Sequence, residues 1–161
     1  MTIVDLTKIV RKFKERPLPG RKLYIWRGSK GKLLNCLPMH IVRELDILQI
    51  APEGGIDEPI QVRKAVNKAI TQKLEEYITD LDGQQILVVS NVYLLARYNV
   101  PLSSFYEGYF SDKTMVVLVV PREKVDTNTL PGYVSFEEDA TFKYLMEVLP
   151  EEHRSNIVEE V

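Results

Sequence analysis

Two unbroken apolar runs, Ile86-Leu87-Val88-Val89 and Met115-Val116-Val117-Leu118-Val119-Val120, restrict the fold more than any other feature of this chain. A strand with one wet face alternates apolar and polar residues. A run with no polar position belongs to a strand covered on both faces, the usual condition in a parallel sheet. Covering such a sheet takes helices, and the sequence supplies one. Val62, Val66, Ile70, Leu74, Tyr77, Ile78 and Leu81 trace a single apolar stripe, with Arg63, Lys64, Lys68, Lys73 and Glu76 off it, which predicts a long surface helix over 58–81.

The rest of the chain falls into place around these segments. Lys22-Leu23-Tyr24-Ile25-Trp26 reads as a strand followed by a glycine-containing turn. The pattern predicts a helix over 32–45, kinked at Pro38, and a second strand over 45–50. Helices are expected over 92–98, 102–110 and 140–149, and a short fifth strand over 133–136 after Pro131-Gly132. Upstream, Val4, Leu6, Ile9, Val10 and Phe13 mark an amphipathic helix that Pro17-Leu18-Pro19-Gly20 must end. The expectation is one domain over 1–161: a basic amphipathic helix at 1–16, an α/β core at 22–149 and an acidic tail at 150–161. Its core is a three-layer α/β sandwich around a five-stranded, mainly parallel sheet, with right-handed crossovers.

Charge narrows the partners. The net charge is −2, which is not that of a strongly basic nucleic-acid binder, but residues 1–32 hold ten Lys and Arg against two acids. Lys8, Arg11, Lys12 and Lys14 could therefore face a phosphate backbone, with Tyr24 and Trp26 near in sequence for stacking. The same face could equally pair with the acids of 137–161, where eight Asp and Glu meet two bases. A lone Cys36 makes no intrachain disulfide, and no apolar run reaches the length of a membrane span, so cytoplasmic residence is the expectation.

In a parallel α/β domain ligands bind beyond the carboxyl ends of the strands, which points to the turns after Trp26, Ile50, Val89 and Val120. The first contains Gly28-Ser29-Lys30-Gly31-Lys32. A phosphate-binding loop reads G-x-x-x-x-G-K-[ST], where glycine turns aim backbone N–H groups at phosphate and the hydroxyl holds magnesium. Here Gly31-Lys32 is kept, Trp26 stands where the first glycine belongs, and Leu33 replaces the hydroxyl. Two readings follow: an anion site that still holds a nucleotide phosphate, or an ordinary strand-to-helix turn. After the third strand Ser90 and Asn91 occupy positions where an ATPase carries acids for magnesium and water. They could bind phosphate or simply cap the following helix. Arg122, after Pro121, lies at the same edge of the sheet.

The order of strands and helices around the Gly-Lys turn resembles an AAA-type P-loop ATPase core with its catalytic residues eroded. Residues 85–95 and 115–121 more narrowly resemble the small B component of BREX phage-defence systems. That resemblance implies a degenerate P-loop NTPase-like fold and a non-catalytic part of a defence complex, associated with a PglZ-like, phosphatase-fold partner. It implies no catalytic residues and no metal. The alternatives are a protein that binds ATP or another nucleotide through Lys32 and borrows catalytic groups from a partner, and a nucleic-acid binder acting through the basic helix. Other chemistry is thinly supported. His40 and His153 are the only histidines, and Cys36 and His40 form the one pair at metal-ligand spacing, with Pro38 between them. Tyr93, Tyr98, Tyr106 and Tyr109 are candidate interface residues, because large rings are immobilised there at low entropic cost.

Overall fold

A computed structural model of the chain describes residues 22–50, 59–80, 85–106, 114–122, 139–154 and 156–159. The expected basic helix at 1–16, with Lys8, Arg11, Lys12 and Lys14, lies outside the described residues, as do Tyr109 and the strand expected at 133–136.

Five strands form one all-parallel sheet: β1 (Lys22–Arg27), β2 (Val42–Asp46), β3 (Gln85–Ser90), β4 (Thr114–Val119) and β5 (Ile157–Glu159), in the spatial order β2-β3-β4-β1-β5. The two apolar runs are β3 and β4, in the interior of the sheet, and each sends alternate side chains into two cores. Leu87, Val89, Val116 and Leu118 join Leu23, Ile25 and Leu45 on one face. Ile86, Val88, Met115, Val117 and Val119 join Tyr24, Trp26 and Val158 on the other.

The helices divide between these faces. The long helix, here α3 (Pro59–Asp80), lays Val62, Val66, Ile70 and Leu74 on the first core, each contributing about 2 kcal/mol of burial. α5 (Ala140–Val148) adds Leu145 to the same core. Short α1 (Lys30–Asn35) instead covers the second face with Leu33. The β1–β2 connection thus crosses the sheet one way on one face, and the later connections run the other way on the opposite face. All therefore share one hand. The connections part beside β1, and in doubly wound sheets that is where a crevice opens.

Four segments differ from the sequence-based expectation. α1 ends at Asn35, before Pro38, whose ring disfavours helical geometry at the residue before it. A 3-10 turn, Met39–Ile41, leads into β2, where a helix was expected. Val42 and Leu45 are three apart and so mimic a helix face, but in the strand they enter opposite cores. The expected second strand continues only to Asp46. The carboxylate of Asp46 accepts the N–H of Leu48 at 2.9 Å, and the chain turns into α2 (Ile47–Ile50). The fifth strand lies in the segment read as an acidic tail, after α6 (Glu151–Arg154). There Ile157 and Val158 are buried beside β1, and Asn156 clamps them by donating from Nδ2 to the Leu23 carbonyl at 3.0 Å. Residues 102–110 contribute a 3-10 turn at Ser103–Phe105, and 107–110 lie outside the described residues. No helix among the described residues is long and apolar enough to cross a membrane.

Candidate functional site

A cleft of about 370 Å³ opens at the carboxyl edge of the sheet. Its floor is built by strand ends: Asp46 closes β2, Ser90 closes β3, and Val119 closes β4 and runs on into Val120 and Pro121. Its walls are helix beginnings: Lys30 of α1, Tyr93 of α4 (Tyr93–Arg97) and Thr141 of α5. Parallel strands put all these residues at one edge, because every strand ends on the same side.

Asp46 and Ser90 face each other in register across β2 and β3. Beyond Ser90, Asn91 takes a left-handed conformation (φ 57°), which Asn tolerates better than most residues. Its Nδ2 donates to Asp46 Oδ1 at 2.6 Å, the same oxygen that holds Leu48. Asp46 Oδ2 has no partner among the described residues. Neither Ser90 nor Asn91 caps α4, whose N-cap is Val92 with no side-chain hydrogen bond. The capping role that the sequence offered for them is not the one they fill. Lys30, the cation of the lining, pairs with Glu44 at 3.2 Å, both about half exposed. No cation lies within ion-pair distance of Asp46 among the described residues.

The Gly-Lys turn is built differently. Only Gly28 and Ser29 separate β1 from α1, whereas the phosphate-loop motif needs about six residues between strand and helix. Trp26 is still in the strand, paired with Val119 and buried in the second core, and its Nε1 donates to the Ser29 carbonyl at 2.8 Å. Ser29 Oγ accepts the Lys32 N–H at 3.3 Å as an N-cap. Gly31 has no steric need to be glycine, since an added Cβ would meet nothing within 4 Å. Lys32 is exposed on α1.

Of the residues picked from sequence, the cleft therefore gathers Lys30, Ser90 and Asn91, together with Tyr93 from the interface set. Gly28, Ser29, Gly31 and Lys32 are not part of its lining, and exposed Arg122 follows Pro121 outside it. Tyr98 and Tyr106 are half-buried against the first core, Tyr98 beneath the Arg97 guanidinium at 4.8 Å and Tyr106 5.0 Å from the His153 ring. Cys36 and His40 are both exposed, and no group of three or more metal-ligating side chains occurs among the described residues.

Sequence reasoning missed Asp46, Thr141 and Arg27. The apolar pattern over 45–50 hides Asp46, because it runs the strand past the residue that ends it. Arg27 counted only as one of many N-terminal bases, yet its side chain is 2% exposed. It closes β1 with an ion pair of 2.6 Å to Asp139, and its guanidinium lies 4.2 Å from the centre of the Phe142 ring. Nη1 of Arg27 is buried without a partner among the described residues. Asp139 is itself left-handed (φ 54°) and immediately precedes α5, so this pair fastens to β1 the helix that carries Thr141 into the cleft. Comparison with protein-family models, with curated proteins and with solved structures gives no match.

Proposed function

We propose that this domain is a non-catalytic binding subunit of a multiprotein assembly, with a degenerate P-loop-like core, and that its setting is a phage-defence complex of the BREX type. The observation that carries the first part is the two-residue connection between β1 and α1. A nucleotide triphosphate is held by a loop long enough to wrap its phosphates with backbone N–H groups. Gly28-Ser29 offers no such loop, and the one hydroxyl in it is engaged as a helix cap. Neither strand end beside it supplies the magnesium-binding pattern of a phosphoryl-transfer site. What remains at the sheet edge is a cleft of ligand-binding size with Tyr93 in its wall.

The second part rests on the resemblance of 85–95 and 115–121 to the small B component of those systems, which makes a PglZ-like, phosphatase-fold protein the first partner to test. Half-buried Tyr93, Tyr98 and Tyr106 suit such a contact, because a ring already packed loses little freedom when a partner covers it.

The test mixes the purified chain with a purified PglZ-like protein and measures mass by light scattering after chromatography. A complex of fixed stoichiometry is expected, together with no saturable heat when the chain alone is titrated with ATP and magnesium. Saturable ATP binding that Lys32→Ala abolishes, or phosphate release from ATP, would overturn the reading in favour of a nucleotide-dependent protein.

A further inference from the structure

We infer that the cleft receives a basic side chain, an arginine above all, presented by the partner protein; this deepens the assembly reading and rests on it. The argument begins with charge. The cation of the lining, Lys30, is held by Glu44, while Asp46 faces the cleft with no cation of its own among the described residues. Asp46 therefore meets the cleft without a counter-charge of its own, and an anion entering here would face that carboxylate.

Hydrogen-bonding capacity points the same way. Asp46 spends Oδ1 on Asn91 and Leu48 and keeps Oδ2. Asn91 donates through Nδ2, so its Oδ1 is left to accept. The hydroxyls of Ser90 and Tyr93 have no partner among the described residues and can accept as well. Acceptors converging on one cavity call for a group rich in donors. A guanidinium carries five N–H donors in a planar fork that matches a carboxylate through two parallel bonds. Its apolar stem would lie along Val119, Val120 and Pro121, and Tyr93 offers a ring face for the cation.

Left-handed backbone supports a purpose for this geometry. Among the described residues outside glycine, only Asn91, Asn99 and Asp139 have positive φ. Asn91 is in the lining, and Asp139 anchors the helix that brings Thr141 to it. Such conformations persist where the surroundings enforce them, and here they hold the acceptors in place.

The experiment follows backbone amide resonances of the ¹⁵N-labelled chain during titration with N-acetyl-arginine methylamide, N-acetyl-lysine methylamide and inorganic phosphate. The arginine probe should shift the amides of Leu48, Ser90, Asn91 and Tyr93 saturably. The lysine probe should bind several-fold more weakly, because it lacks the fork. Phosphate should leave these amides unmoved. Asp46→Asn keeps an acceptor for Leu48 and removes the charge, and should weaken the arginine probe about ten-fold or more. Ser90→Ala removes a hydroxyl that bonds no other described group, should weaken the probe less, and guards against an unfolded Asp46 variant. The proposal is overturned by phosphate shifts at these amides without arginine shifts, by equal binding to wild type and both variants, or by no response to arginine. A partner complex that forms in wild type and survives Asp46→Asn undiminished sinks this inference and leaves the assembly reading standing. Failure of the wild-type chain to bind the partner sinks the assembly reading, while the probe titration still judges the cleft chemistry.

Discussion

Two turns at the same edge of the sheet behave in opposite ways. The turn after β1 has the suggestive composition, Gly28-Ser29-Lys30-Gly31-Lys32, yet much of its polar capacity is used inside the molecule. Trp26 Nε1 closes on the Ser29 carbonyl, and Ser29 Oγ holds the first turn of α1. The turn after β3, with the end of β2 beside it, carries no motif, yet Asp46, Ser90 and Tyr93 keep polar atoms uncommitted around a cavity. What a polar turn can bind is set by the groups it leaves unsatisfied, not by its composition.

The contrast between the two turns is widest at Arg27, on the committed side. Asp139→Ala leaves a buried guanidinium without its counter-charge, a change that typically costs about 3–5 kcal/mol. In a domain of this size that corresponds to a fall of roughly 10 °C in Tm. Ser90→Ala, on the uncommitted side, should stay within about 0.5 kcal/mol of wild type. Urea unfolding of both variants reads the contrast directly. If the two lose stability equally, the division between committed and uncommitted turns is wrong. Trp26→Phe comes next. It removes the Nε1 bond to Ser29 and part of a buried ring, and a loss of about 1–3 kcal/mol is expected in the same unfolding measurement.

How far each side was legible in the sequence follows from the same physics. Residues 86–89 and 115–120 announced themselves because burial on both faces leaves no polar position, and α3 because seven apolar residues held at helical spacing over six turns fit neither a strand nor a loop. The carboxyl-edge rule for parallel sheets points to the turns that hold Lys30, Ser90 and Asn91, and all three line the cleft although the phosphate-loop motif around Lys30 is incomplete. β2 was hidden because it is an edge strand whose buried residues, Val42 and Leu45, are spaced as on a helix. A strand running on to residue 50 takes Asp46 away from the edge where the structure places it. β5 was hidden because three residues show no period, and its place is decided by pairing with β1 across the whole chain length. Asp139 was hidden because only the folded backbone brings it to Arg27, 112 positions away.

Gly31→Ala approaches the same contrast from the other side. In a phosphate-cradling loop a glycine is required for close approach, and replacing it is damaging. Here Gly31 sits inside α1 with open space where a Cβ would go, so alanine should raise stability by about 0.5–1 kcal/mol through helix propensity. A rise in the urea midpoint at unchanged slope is the expected reading. A loss would mean that the turn does depend on its glycine.

The smallest effect is confined to alkaline pH and tests how well the β1 side is closed to water. Tyr24 lies two residues before Trp26 on the same face, and burial raises its phenol above the ordinary value of 10.0. The unfolded chain releases that proton first. The stabilisation this gives is whole below pH 10.0 and is lost as pH rises through the folded value. Tyr144, also raised by burial with the Arg63 charge opposing, adds a similar slope in both proteins and cancels in the comparison. Tyr24→Phe should therefore track wild type near neutrality, apart from a constant offset, and lose less stability above pH 10.0. Parallel stability curves through that range would mean that water reaches the Tyr24 phenol and that the β1 face is more open than its packing implies.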